Sequence, residues 1–198
     1  MFALVEDNKI TQMPRGNKGI TIDDIQYPAS IYTLWSEEER NAIGIYTVEI
    51  DNTNKKDEEW YINTNITYAF SSGKVTGSYG TATAKAIEDA NAKDEDGVEL
   101  DPVVVIKGLK TIKKEMINQQ CAGILQPSDW RVVKATETGG TIDTGWKTWR
   151  ESVRTKCNSM QDQIDAVSNV DELAALFTYT TTDGVTTRPL GEFPTKDD

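Results

Sequence analysis

Toward the C-terminus, Trp146, Trp149, Val153, Cys157, Met160, Ile164 and Val167 follow one another at intervals of three or four residues. On a helix those intervals place all of them on one side, so the pattern predicts a long amphipathic helix. A second stripe precedes it. Ile106, Leu109, Ile112, Met116, Ile117 and Cys121 recur at three-to-five-residue spacing, and Gly123 to Asp129 closes that run. Glu137 to Gly145 is rich in Thr and Gly and reads as a loop. Two long helices joined in this way are expected to pack antiparallel. Val170 to Phe177 predicts one further short helix, with Asn169 or Asp171 near its N-cap.

The first half is built on strand-like stretches. Phe2 to Glu6 and Ile10 to Met13 flank the turn cluster Asp7-Asn8-Lys9, which predicts a hairpin, and Pro14 to Gly19 reads as a loop. Ser36 with Glu39 three residues on is a capping-box pattern, so a short helix is expected over Glu37 to Ala42, stopped by Gly44. Ile45 to Ile50 alternates as a strand. Trp60 to Phe70, the turn Ser71 to Lys74 and Val75 to Tyr79 make a second hairpin. Thr81 to Ala92 reads as helical or frayed.

These elements predict an α+β protein: an N-terminal β-rich domain with a short helix, and a C-terminal antiparallel helical hairpin. The first domain is expected over residues 1–92. Lys93 to Asp101 is strongly acidic and leads through Gly97 to Pro102, so residues 93–104 read as an exposed linker and the domain boundary. The helical domain then covers 105–179. Residues 180–198, with Asp183-Gly184 between Thr-rich arms, form a hairpin or a disordered end.

Charge and composition narrow the chemistry. Formal net charge is −11 over 198 residues, and no basic stripe offsets it, so no nucleic-acid partner is expected. There is no histidine, which removes His-based nucleophile pairs and imidazole metal ligands. Cys121 and Cys157 form no CxxC; they sit on the two inner helical stripes and read as small buried apolar groups. Asp94-Glu95-Asp96-Gly97 resembles part of a calcium loop, but Ala92 and Val103 occupy its first and twelfth positions. No metal, no cofactor and no catalytic residue is therefore expected. The N-terminus lacks a signal-peptide pattern, and no apolar window reaches membrane-spanning length. The expected setting is the cytosol, with reduced thiols and no membrane partner.

The aromatic and basic residues of the second half are more telling. Trp130, Trp146 and Trp149 lie close to Arg131, Arg150 and Arg154 in the chain, and Trp and Arg dominate protein-binding hot spots. Arg150 and Arg154 are four apart and share a helix face. Each Trp taken alone is also an ordinary core residue, so the arginine pair is the stronger interface candidate.

The segment Lys113 to Asp165 is similar to the phage tail assembly chaperone type of domain. The likeness rests on Leu125-Gln-Pro-Ser-Asp129-Trp130, then Trp146-Lys-Thr-Trp149-Arg150-Glu-Ser-Val153-Arg154, and on the close Val170-Asp171-Glu172-Leu173. Ile117-Asn118-Gln119 stands where that family often has Arg-Asn. Tyr27-Pro28 and Leu34 to Ile45 resemble the accessory region of tail-fibre assembly proteins. The resemblance implies a non-enzymatic protein that binds a phage tail or tail-fibre protein and assists its folding or assembly. It would work in the host cytoplasm, its oligomeric state open. The expected protein-binding residues are Trp130, Arg150 and Arg154. The alternative is a structural subunit of the virion tail or fibre-attachment apparatus. A third class is a carboxylate-based hydrolase, for which no motif supplies the chemistry.

Overall fold

The computed structural model describes residues 1–196 and divides into two units, Met1–Ala84 and Lys85–Asp198. The fold is mixed α+β, strand-rich first and helical second.

The first unit is organised by a five-stranded sheet in the order β2-β1-β5-β8-β7. Its strands are β1 (Phe2–Glu6), β2 (Lys9–Gln12), β5 (Ile45–Asp51), β7 (Ile66–Ser71) and β8 (Lys74–Tyr79). All neighbours are antiparallel except β5 and β8, which run parallel with Val48 opposite Val75. The unbroken apolar run Phe2-Ala3-Leu4-Val5 is explained by burial on both faces. Leu4 joins Ile20, Ile22, Ile31, Tyr32 and Ile45 on one face, with Phe2 packed against them. Ala3 and Val5 join Val48 and Val75 on the other. The hairpin turns Asp7-Asn8 and Ser72-Gly73 both have positive φ at their two residues, the primed geometry that matches strand twist.

Between β2 and β5 lie a small hairpin, β3 (Ile20–Ile22) with β4 (Ile25–Tyr27), and the helices α1 (Ile31–Leu34) and α2 (Glu37–Ala42). The expected capping box is present: Ser36 Oγ accepts from Glu39 N at 3.2 Å, and Glu39 Oε2 accepts from Ser36 N at 2.7 Å. Gly44 follows with φ of 82°, and a Cβ there would sit 2.7 Å from the Val5 carbonyl oxygen, so only glycine fits. Thr81 to Ala92 contains no helix. Thr83–Ala84 is strand β9, paired with β6 (Tyr61–Ile62), and Ala90–Asn91 is strand β10.

The second unit opens on a hairpin. Strand β10 pairs antiparallel with β11 (Val105–Ile106), and Lys93 bridges to Glu99 further along the same arm. The acidic stretch 93–104 is thus the outer part of a hairpin inside this unit, and the division of the chain falls at Ala84/Lys85. Asp94 accounts for its shape: its Oδ1 accepts from the amides of Asp96 (3.0 Å) and Val98 (2.9 Å), closing the turn where calcium ligation was considered.

Helix α3 (Leu109–Leu125) packs on α5 (Thr144–Ala166). Lys114 Nζ meets Asp165 Oδ1 at 2.7 Å near one end and Arg150 Nη1 meets the Leu125 carbonyl at 2.9 Å near the other, so the helices are antiparallel. On α5 the buried residues are Arg150, Val153, Cys157, Met160 and Ile164. On α3 they are Leu109, Lys113, Ile117 and Cys121, a strict four-residue repeat. Ile112 is therefore on the solvent side, and Lys113 lies on the inner stripe with its Nζ 4.9 Å from the Phe177 ring centroid. Helix α3 passes through a 3₁₀ turn, Gln126–Ser128, into α4 (Asp129–Thr138), which the sequence pattern left unassigned. Helix α6 (Val170–Phe177) is capped by Asn169, whose Oδ1 accepts from Glu172 N at 2.9 Å. It is followed by the hairpin β12 (Thr180–Thr182) and β13 (Val185–Thr187) across Asp183-Gly184, while Asp197 and Asp198 lie outside the described residues.

Candidate protein-binding site

The three residues expected to form the site part company. Arg150 is 5% exposed. Its Nη1 donates to the Leu125 carbonyl at 2.9 Å and to Ser128 Oγ, and its Nη2 donates to Asp129 Oδ1 at 2.6 Å. Those acceptors span the α3–α4 corner, so Arg150 fastens that corner to α5 and offers no accessible face to a partner. This corrects its assignment as a contact residue. The burial follows from its position: Arg150, Cys157 and Ile164 are seven apart and fall on the same inner stripe. Arg154 is exposed and makes no hydrogen bond or ion pair among the described residues. Trp130, on the first turn of α4, is 54% exposed.

Trp130 belongs to a different constellation from the expected one. The Arg131 guanidinium carbon lies 4.6 Å from the Trp130 ring centroid and 4.2 Å from that of Trp146 on α5. Both distances are within cation–π range, so one guanidinium is held by two indoles. Lys134 Nζ reaches to 6.0 Å of Trp130, and Lys196 Nζ to 5.5 Å of Trp146. Trp146 meets Trp149 edge to face at 5.6 Å, and Trp149 Nε1 donates to the Pro194 carbonyl at 3.1 Å. The half-buried indoles Trp146 and Trp149 are thereby fixed, and they fix Arg131. A pocket of about 190 Å³ opens beside Trp130, Arg131 and Lys134, walled by Thr138, Ile142 and Asp143.

Local folding explains why these groups converge. Asp143 caps α5, its Oδ1 accepting from Gly145 N (3.0 Å) and Trp146 N (3.2 Å), which sets the first turn carrying Trp146. Gly139, with φ of 66°, ends α4 and lets the chain turn toward that cap. Two carboxylates of this region are engaged elsewhere: Asp129 with Arg150, and Asp143 with the α5 amides. No carboxylate pairs with Arg131 among the described residues. Sequence reasoning had Arg131 in view but favoured the arginine pair on α5. The available signal was its adjacency to Trp130 on a helix that was not recognised.

Away from this surface, Cys121 and Cys157 face each other across the α3–α5 seam, and both are free and buried. Burial first, and then a hydrogen bond with Cys157, push the Cys121 thiol up to about 11. Cys157 Sγ also lies 3.5 Å from Asn118 Oδ1, which accepts from Gln161 Nε2 at 3.0 Å. Among the described residues, no group of three or more Cys, Asp or Glu side chains is placed to hold a metal ion. No helix there is long and apolar enough to cross a membrane. Compared with protein-family models, curated proteins and solved structures, the chain matches none.

Proposed function

We propose that this protein acts by binding another polypeptide, and that it assists assembly of a phage tail or tail fibre. The observation that carries the reading is Trp130, an indole left more than half exposed on a surface where its neighbours are held fast. A tryptophan offers roughly 150–250 Å² for burial, and apolar burial contributes about 25 cal/mol per Å². Covering the exposed half would stabilise a complex by about 2–3 kcal/mol, which is hot-spot magnitude. The rigid setting matters as much. Side chains that are already ordered lose little further freedom when a partner arrives. The likeness of Lys113 to Asp165 to tail assembly chaperones supplies the biological class, since fibre subunits are β-rich and prone to aggregate before they assemble.

Binding is assigned to Trp130, Arg131 and Trp146, with Arg154 as an outlying contact. The test is co-expression with the neighbouring tail genes followed by pull-down. A tail or fibre protein is expected to co-purify, and Trp130→Ala is expected to weaken its capture at least tenfold with circular dichroism unchanged. Retention by the variant at full strength would remove the surface from the proposal. Mass spectrometry of purified particles separates an assembly factor, absent or substoichiometric, from a virion subunit present in fixed copies.

A further inference from the structure

Resting on the reading that this surface binds a polypeptide, we infer that Arg131 receives a carboxylate: the partner presents an acidic segment whose Asp or Glu side chain lies in the plane of the guanidinium. The indoles of Trp130 and Trp146 engage the guanidinium at 4.6 and 4.2 Å from their centroids. Neither contact is a hydrogen bond, so the N–H donors of the group remain for another acceptor. In Arg150 those donors are spent on Leu125, Ser128 and Asp129. In Arg131 no hydrogen bond or ion pair uses them among the described residues. One buried arginine is thus satisfied inside the fold, and one half-buried arginine lies against two indoles with no hydrogen-bond acceptor among the described residues.

The surroundings select the ligand. Lys134 stands on the Trp130 ring and Lys196 on the Trp146 ring, so further cations lie beside Arg131 in a chain whose net charge is −11. Asp129 and Asp143, two carboxylates of this region, are held by other donors. The adjoining pocket of about 190 Å³ has room for one side chain of moderate size. A nucleic acid carries a phosphate charge every ~1.7 Å of duplex, and a chain of net charge −11 is a poor match for such a line of charge. A single carboxylate on a peptide meets only the patch. Arginine pairs with carboxylates bidentately, through two parallel bonds that set orientation as well as strength.

The experiment is a selection of random twelve-residue peptides on the full chain, with affinities of the selected peptides then measured by tryptophan fluorescence. The expected peptides carry Asp or Glu beside an apolar or aromatic residue. Replacing that acid by its amide is expected to weaken binding at least tenfold. Arg131→Lys should weaken binding about as much, since the charge remains but the fork is lost. Binding should also weaken as salt rises from 50 to 500 mM, because part of it is a screened charge pair. Peptides that need Trp130 but lack an acid, and bind Arg131→Ala as well as the parent, would overturn the carboxylate and leave the binding surface standing. Peptides indifferent to Trp130→Ala would overturn both. Tighter binding of an oligothymidylate probe than of any peptide, or self-association through this face in sedimentation, would also overturn it.

Discussion

Arg150 and Arg131 show how one side-chain chemistry serves two ends. Arg150 holds the α3–α4 corner through Leu125, Ser128 and Asp129. Its loss would leave the Leu125 carbonyl and Ser128 hydroxyl without that donor, in a site from which water is largely excluded. Arg150→Ala is therefore expected to destabilise the second unit by about 2–4 kcal/mol, read as a fall in the denaturation midpoint. Arg154→Glu should leave that midpoint within about 0.5 kcal/mol, as surface changes usually do. Reversing both arginines together would consequently lower stability along with any effect on binding, so Arg154→Glu alone is the cleaner binding test. Residue identity and four-residue spacing alone did not separate the two; the seven-residue relation of Arg150 to Cys157 and Ile164 did carry the distinction. Cys121 gives a pH dependence of definite sign. Its thiol ionises at about 11 when folded against an ordinary value of 9.0, so between those values the folded state keeps a proton that the unfolded chain has lost. The stabilisation is complete below pH 9.0 and is lost as pH rises toward 11. Denaturant titrations from pH 8 to 11 should show a shallower decline for Cys121→Ala than for the parent, whatever the lysines contribute to both.

At the level of elements, the best-read features were those whose signal is local. The capping box of α2 was legible because Ser36 and Glu39 make both bonds within one turn. Ser36→Ala is expected to cost about 1 kcal/mol, measured by thermal denaturation of the first unit. Thr81 to Ala92 was misread because its alanines and charged residues favour a helix, whereas the chain gains more by pairing β9 with β6 and β10 with β11. Helix α4 was missed because Gly123 and Pro127 read as stops. Gly123 instead lies within α3 on its exposed side, and Pro127 sits at the start of the 3₁₀ turn, where a missing N–H does no harm. The hairpin arm was hidden by its acidic residues, which suggested a solvated linker. It exposes Val98, Val103 and Val104 on the arm and Val105 and Ile106 on β11, in a sheet of only two strands. Open apolar strand edges promote association, so the double variant Val103→Thr, Val105→Thr is expected to raise the concentration at which light scattering first appears. The thermal midpoint should move little, because neither residue is buried.

For the whole molecule, the fold class was readable because apolar period changes from strand-like to helical along the chain, and that change survives errors in single elements. The boundary was not readable, because charge marks solvent contact whether the backbone beneath it is paired or free. The two units differ in a practical respect. Both cysteines belong to Lys85–Asp198, on facing helices, and Met1–Ala84 has none. An alkylating reagent can reach those sulfurs only when the α3–α5 seam opens. The chain accordingly contains its own gauge: mass gained at Cys121 and Cys157 clocks the breathing of one half alone, while the other remains invisible to the reagent.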